Sequence, residues 1–228
     1  CGPIVPLARM PKMIYQANET LEASLELAQF GPDDLKQAVP FWSLSLPDGT
    51  VLEKGKLSAR DLSTGELHKL GKINVPLRGV RNASKVILSI GIERTEALNS
   101  WDLFVFPEPA VSKSKPASTW VTNDLTEARV SLAKGARVLW TPPVRSIRDD
   151  PERPLIAGFS PIFWNTAWTN WQAPHTLGIL CDPQHPALHG FPTEPHSNWQ
   201  WWRIQHQARP FILTRHKQLK PIVQVIDD

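Results

Sequence analysis

Twenty-two prolines against 12 glycines in 228 residues constrain this chain more than any other feature. Proline lacks the backbone N–H and its ring clashes with the preceding helical turn, so such usage argues against a helical bundle or coiled coil. Short elements joined by turns are the expectation. The apolar fraction of 41% against 21% charged is that of a folded globular chain and excludes disorder as the main state. The length allows one large or two small domains.

Net charge is +3, and dividing the chain at Pro107 gives 12 basic and 12 acidic residues before it, then 13 and 10 after it. Neither half presents the basic excess that a nucleic-acid groove needs. The local basic groups, Arg145 with Arg148 and those across residues 203–220, read as solvated surface. No stretch approaches the apolar length of a membrane helix. The two cysteines, Cys1 and Cys181, define no disulfide framework. Cys1-Gly2 is open to two readings, the lipid-bearing start of a mature bacterial lipoprotein or an excision point within a longer chain; the second is preferred because Pro3–Pro6 leads directly into structured sequence.

The first half reads as β. Residues 20–30 (TLEASLELAQF) put Leu21, Ala23, Leu25 and Leu27 on one face and Glu22, Ser24 and Glu26 on the other, the two-residue period of a half-buried strand. Residues 41–46 (FWSLSL) and 51–57 flank Pro47-Asp48-Gly49-Thr50, a hairpin turn in which Gly49 can take positive φ. Further strands are expected at 66–77, 85–93 and 100–106. Six or seven short strands in about 107 residues suggest an antiparallel immunoglobulin-like sandwich over 1–107.

Composition changes next. Residues 108–118 are rich in Pro, Ser and Lys, as a linker is. Trp120-Val121, a helix capped by Asn123 or Asp124 and ended by Gly135, and a strand at 136–140 form the start of a βαβ unit. Strands at 155–159, 176–180 and 222–226 and a helix at about 196–209 complete the expectation of an α/β domain over 119–228, cut short at its C-terminus. The final strand implies either a continuing polypeptide or a sheet edge.

Six of ten tryptophans lie between Trp164 and Trp202, and six of seven histidines between His175 and His216. Indole faces stack on sugar C–H groups while nearby amides, carboxylates and imidazoles bond the hydroxyls. Packing in a core or between domains accounts for most of these tryptophans. Trp164, Trp168 and Trp199 are the sugar-platform candidates, with Glu194 and His196, alongside Asn165, Asn198 and Gln200, as the polar fringe. His185 and His189 have i, i+4 spacing, but Pro186 and Gly190 leave about one turn and no neighbouring Glu, so loop histidines bonded to backbone are preferred to a metal site. Cys181 follows an apolar strand, yet Asp182-Pro183 breaks the elbow that a nucleophile requires. It reads as a buried structural thiol. The Asp149, Asp150, Glu152 group reads as loop, and no metal or cofactor is assigned. The sequons Asn18-Glu19-Thr20 and Asn82-Ala83-Ser84 would carry no weight were the chain bacterial.

The run GFSPIFWNTAWTNWQAPHTLGILCDPQHPALHGFPTEPHSNWQWW, followed by KPIVQVIDD, resembles the C-terminal region of bacterial family 2 glycoside hydrolases related to β-galactosidases. NSWDLFVFP is similar to the closing strand of an immunoglobulin-like domain in such enzymes. The resemblance implies a second domain of flavodoxin-like, class I glutamine amidotransferase type without catalytic residues. It also implies a periplasmic or extracellular location and a catalytic barrel of the same polypeptide as partner. Those enzymes hydrolyse β-glycosides with retention, using two glutamates about 5.5 Å apart. The barrel requires about 200–250 residues of βα repeats, which this sequence lacks. Glu108, Glu127, Glu152 and Glu194 match none of the family's catalytic segments, so no catalytic residue is assigned. Two functions follow as expectations: a non-catalytic accessory region of a glycosidase, or an independent carbohydrate-binding module using the Trp cluster. A hydrolase built on Cys181 is a third, lesser reading.

Overall fold

A computed structural model of the chain describes residues 2–108, 119–147, 157–158, 177–213 and 218–226. It divides into two compact units, Cys1–Pro109 with Leu188–Thr193, and Ala110–Ala187 with Glu194–Asp228.

The first unit is a β-sandwich. One sheet has three strands in the order β1 (Ile4–Arg9), β3 (Thr20–Gln29), β8 (Glu66–Pro76), all antiparallel. The other has five: β2 (Ile14–Gln16), β10 (Leu98–Phe106), β9 (Ser84–Ile92), β5 (Pro40–Ser45) and β6 (Val51–Lys56). A short pair, β4 (Leu35–Ala38) and β7 (Arg60–Leu62), lies outside both sheets. The first strand thus serves one sheet and the second pairs parallel with the last strand of the other, an immunoglobulin-type arrangement. The expected strands of the first half are all present. The expected turn is too: Gly49 takes φ 88 and Asp48 Oδ1 accepts from Thr50 N at 2.9 Å.

Alternation explains the core. Leu21, Ala23, Leu25 and Leu27 of β3 are all buried, facing Val86, Leu88, Ile90 and Leu103 within one cluster. Each such leucine contributes about 2 kcal/mol by leaving water. On β8 the period breaks, because Leu25 opposes Gly71 and Glu26 opposes Lys69, leaving Leu70 as the extra residue of a bulge. Leu70 is buried, and beyond it Ile73 and Val75 carry the inward face in the shifted phase. Gln29 is fully buried yet satisfied: Nε2 donates to Asp33 O at 2.8 Å and Oε1 accepts from Gly31 N at 3.1 Å.

The second unit contains the expected βαβ. Strands β11 (Thr119–Thr122) and β12 (Arg137–Trp140) pair in parallel across helix α1 (Leu125–Ala133). Asp124 caps that helix, its side chain accepting from Glu127 N at 2.8 Å, and Gly135 at φ 79 ends it. The remaining described strands, β13 (Gly178–Cys181) and β14 (Val223–Ile226), pair antiparallel. Among the described residues the parallel sheet therefore stops at two strands, short of the flavodoxin-like domain that the resemblance implied. Most of the strand expected at 155–159 lies outside the described residues, and so do Asp149, Asp150 and Glu152.

The helix expected at 196–209 is corrected to a single 3₁₀ turn, Trp199–Trp201, running into the short helix α2 (Trp202–His206). Residues 195–197 lie outside the helix because they bond to β13: Cys181 N donates to Pro195 O at 2.8 Å and Ser197 N to Ile179 O at 3.1 Å. Pro210 follows within four residues of His206 and cannot continue a helix.

Candidate functional site

Trp164, Trp168 and Asn165 lie outside the described residues. The other sugar-site candidates fall on one continuous stretch along β13. Glu194 is half-buried, and its carbonyl accepts from Cys181 Sγ at 3.2 Å, so that thiol is tied to backbone. His196 is exposed and bridges Leu180 in antiparallel register. Asn198 then caps the 3₁₀ turn, its side chain accepting from Trp199 N at 2.8 Å. His185, on the preceding loop, accepts from Ala187 N through Nδ1 at 3.1 Å, as a loop histidine does.

The W-Q-W-W run distributes its rings by helical geometry. Trp199 and Trp202, three apart, share the outer side of the turn, where residues at i and i+3 eclipse. They are 43% and 45% exposed, with ring centroids 6.1 Å apart and planes tilted by 44°. His206, one turn on, lies 4.0 Å from the Trp202 ring, and its Nδ1 is 2.8 Å from Trp202 O. His206 thus packs beside Trp202, and the two outer indoles remain exposed to nearly the same extent. Trp201 points the other way and is buried.

That inner side forms a cleft of about 640 Å³ within the second unit. Its walls are mainly apolar, among them Ile179, Trp201, Ile204, Phe211, Leu219 and Val225. Three of the lining residues are polar, Gln205, Arg209 and Gln224. Gln205 is 3% exposed, and its Nε2 donates to Gly158 O. Arg209 donates to Ile147 O at 3.2 Å through Nη1 and is the cleft's one charged lining residue among those described. Concave, largely apolar spaces of about 300–1,000 Å³ with a few placed polar groups are the usual form of small-molecule sites. Neither Gln205 nor Arg209 was singled out from sequence. The available signal was the i, i+4 spacing of Trp201 and Gln205, which puts both on one face.

The model of a domain of unknown function, DUF8488, matches residues 19–107, and that of another, DUF8487, matches residues 120–228. No curated protein matches the chain. Among solved structures the chain is similar to the alkylpurine DNA glycosylase AlkC of Pseudomonas fluorescens, with 14% identity, a TM-score of 0.38, and 46% of this chain and 31% of that one covered. It is similar to the CARDB domain of the PF1109 protein of Pyrococcus furiosus, with 13% identity, a TM-score of 0.35, and coverage of 46% and 94%. A third likeness is to the β-glucuronidase of Parabacteroides merdae, with 10% identity, a TM-score of 0.31, and coverage of 46% and 14%. The chain spans about a third of the glycosylase and about a seventh of the glucuronidase.

Proposed function

We propose that this chain is a non-catalytic C-terminal region of a family 2 glycoside hydrolase of β-galactosidase type. In this reading the sandwich and the α/β-type second unit support a catalytic barrel of the same polypeptide, in the periplasm or outside the cell, during carbohydrate degradation. The observation that carries it is the sequence run from Gly158 to Trp202, whose spacing of Trp, Pro and His resembles that enzyme region. The immunoglobulin-type topology of the first unit is in keeping with it.

The test is the uninterrupted coding sequence around this segment. An upstream (βα)₈ barrel carrying two glutamates about 5.5 Å apart supports the reading. A chain with no barrel overturns it.

The second reading, an independent carbohydrate-binding module, is favoured by one observation, the exposure of Trp199. Calorimetry with galactosides and plant oligosaccharides separates the two. Saturable heats that vanish in Trp199→Ala favour the module, and the absence of heat with every sugar removes it.

A further inference from the structure

We propose that the outer edge of β6 takes up an extended acidic segment of a partner protein as a further strand of the five-stranded sheet. β6 ends that sheet and pairs with β5 alone. At its end Leu57 N donates to Pro40 O at 2.9 Å. Bonding alternates along an antiparallel pair, so Gly55 and Glu53, opposite Trp42 and Leu44, also turn their backbone groups to β5. The N–H and C=O groups of Leu52, Lys54 and Lys56 therefore point away from the sheet, and no group among the described residues bonds them. The other edges are blunted. On β1, Pro6 has no N–H to offer and Asn99 Nδ2 donates to its carbonyl at 3.1 Å. On β8, Arg60 Nη1 donates to Lys69 O at 2.8 Å beside the bulge. β2 has only three residues. β6 has six, five of them exposed, and no proline.

Charge selects the occupant. Residues 52, 54 and 56 share one face of the strand. Lys56 is paired with Glu93, whereas Lys54 has no ion-pair partner among the described residues. A second copy of β6 is disfavoured. With these outward groups bonded, the two antiparallel registers of greatest overlap set Glu53 opposite Glu53 or Lys54 opposite Lys54, and like charges directly opposite repel. An acidic residue opposite Lys54 supplies the missing countercharge. Beside β6 lies a cleft of about 610 Å³ whose lining includes Phe41 and Val51, apolar surface for a neighbouring side chain of the added strand.

The probes are two capped peptides, acidic TETETLT and basic TKTKTLT, added to the isotope-labelled 228-residue chain with amide exchange followed by NMR. The acidic peptide should slow exchange at Leu52, Lys54 and Lys56 and leave Glu53 and Gly55, which already face β5, unchanged. The basic peptide should bind about 5-fold more weakly, the range expected when cross-strand charge pairs are reversed. Lys54→Glu, at an exposed position, should invert that preference. The proposal is overturned if exchange slows at none of the three amides, if it slows equally at Glu53 and Gly55, or if both peptides bind the unaltered chain equally well. It is overturned too if concentrating the chain without peptide protects the same three amides, which would make the occupant a second copy.

Discussion

Close approach of backbone to an aromatic ring governs the central positions of the five-stranded sheet. Gly91 opposes Phe41, and a Cβ built there would lie 2.5 Å from Phe41 Cζ and 2.9 Å from Ala97 O. The ring could swing away, but the carbonyl belongs to the backbone. Gly91→Ala is therefore expected to destabilise the first unit by about 1–3 kcal/mol, read as a lower urea midpoint. Gly49 has open space around it, so substitution there should act through its positive φ alone, at about 1 kcal/mol. Tyr15, the single tyrosine, gives a second residue-level prediction. It is 2% exposed, and burial, followed by the charges of Glu19 and Glu22, pushes its pKa from 10.0 up to about 12. Raised in the folded state, this group contributes stability that is complete below pH 10 and is lost as pH rises toward 12. Tyrosinate absorbance should develop near pH 12 in the native chain and near 10 in urea; coincident midpoints would show that Tyr15 is solvated. At this scale the sequence was partly legible. Trp199 was readable as an exposed ring, but its opposite orientation to Trp201 depends on where the 3₁₀ turn begins, and that is set by Asn198 and the bonding of 195–197 to β13. The burial of Gln29 was not legible, since a strand pattern cannot show that the turn at Gly31 and Asp33 will supply both of its hydrogen-bond partners.

Elements with local causes were legible, and elements created by distant pairing were not. Strand β3 and the β5–β6 hairpin follow from alternation and turn chemistry within a dozen residues. Strands β1 and β2 carry little alternation: β2 has three residues and exists through its parallel register with Phe104–Phe106, about 90 positions away. The same distinction explains the second unit. Helix α1 was placed correctly because its signals are adjacent, Asp124 at one end and Gly135 at the other. The helix expected at 196–209 failed because pairing with β13 removed its first turn. The α1 cap is testable. Asp124→Ala removes the acceptor for Glu127 N and should cost about 1 kcal/mol of local stability, seen as roughly 5-fold faster hydrogen exchange over residues 125–133. Asp124→Asn, which keeps the acceptor, should exchange nearly as slowly as the unaltered chain. Equal acceleration in both variants would assign the effect to lost charge rather than to the cap.

The two units differ in how they dispose of apolar surface. In the sandwich every buried member of the main cluster lies between Tyr15 and Val105, so that core is assembled from its own strands. In the second unit Trp120, Val121, Leu139 and Trp140, on the parallel pair, are all well exposed, as are Leu125, Val130 and Leu132 of α1. Adjacent residues of a strand point to opposite faces, so both faces of this pair carry exposed apolar side chains. Parallel strands are normally covered on both sides. Among the described residues this unit buries fewer apolar side chains with which to offset its chain entropy, and its unfolding should be the weaker transition. Calorimetry of the intact chain is expected to show two transitions, the higher one belonging to the sandwich. Leu88→Ala opens a cavity at a fully buried position, should cost about 2–5 kcal/mol, and should lower the upper transition while leaving the lower one in place. Val121→Ser, on the exposed pair, should move neither by more than about 0.5 kcal/mol. If Leu88→Ala shifts both transitions together, the sandwich does not unfold on its own core, and the division into two cooperative units is wrong.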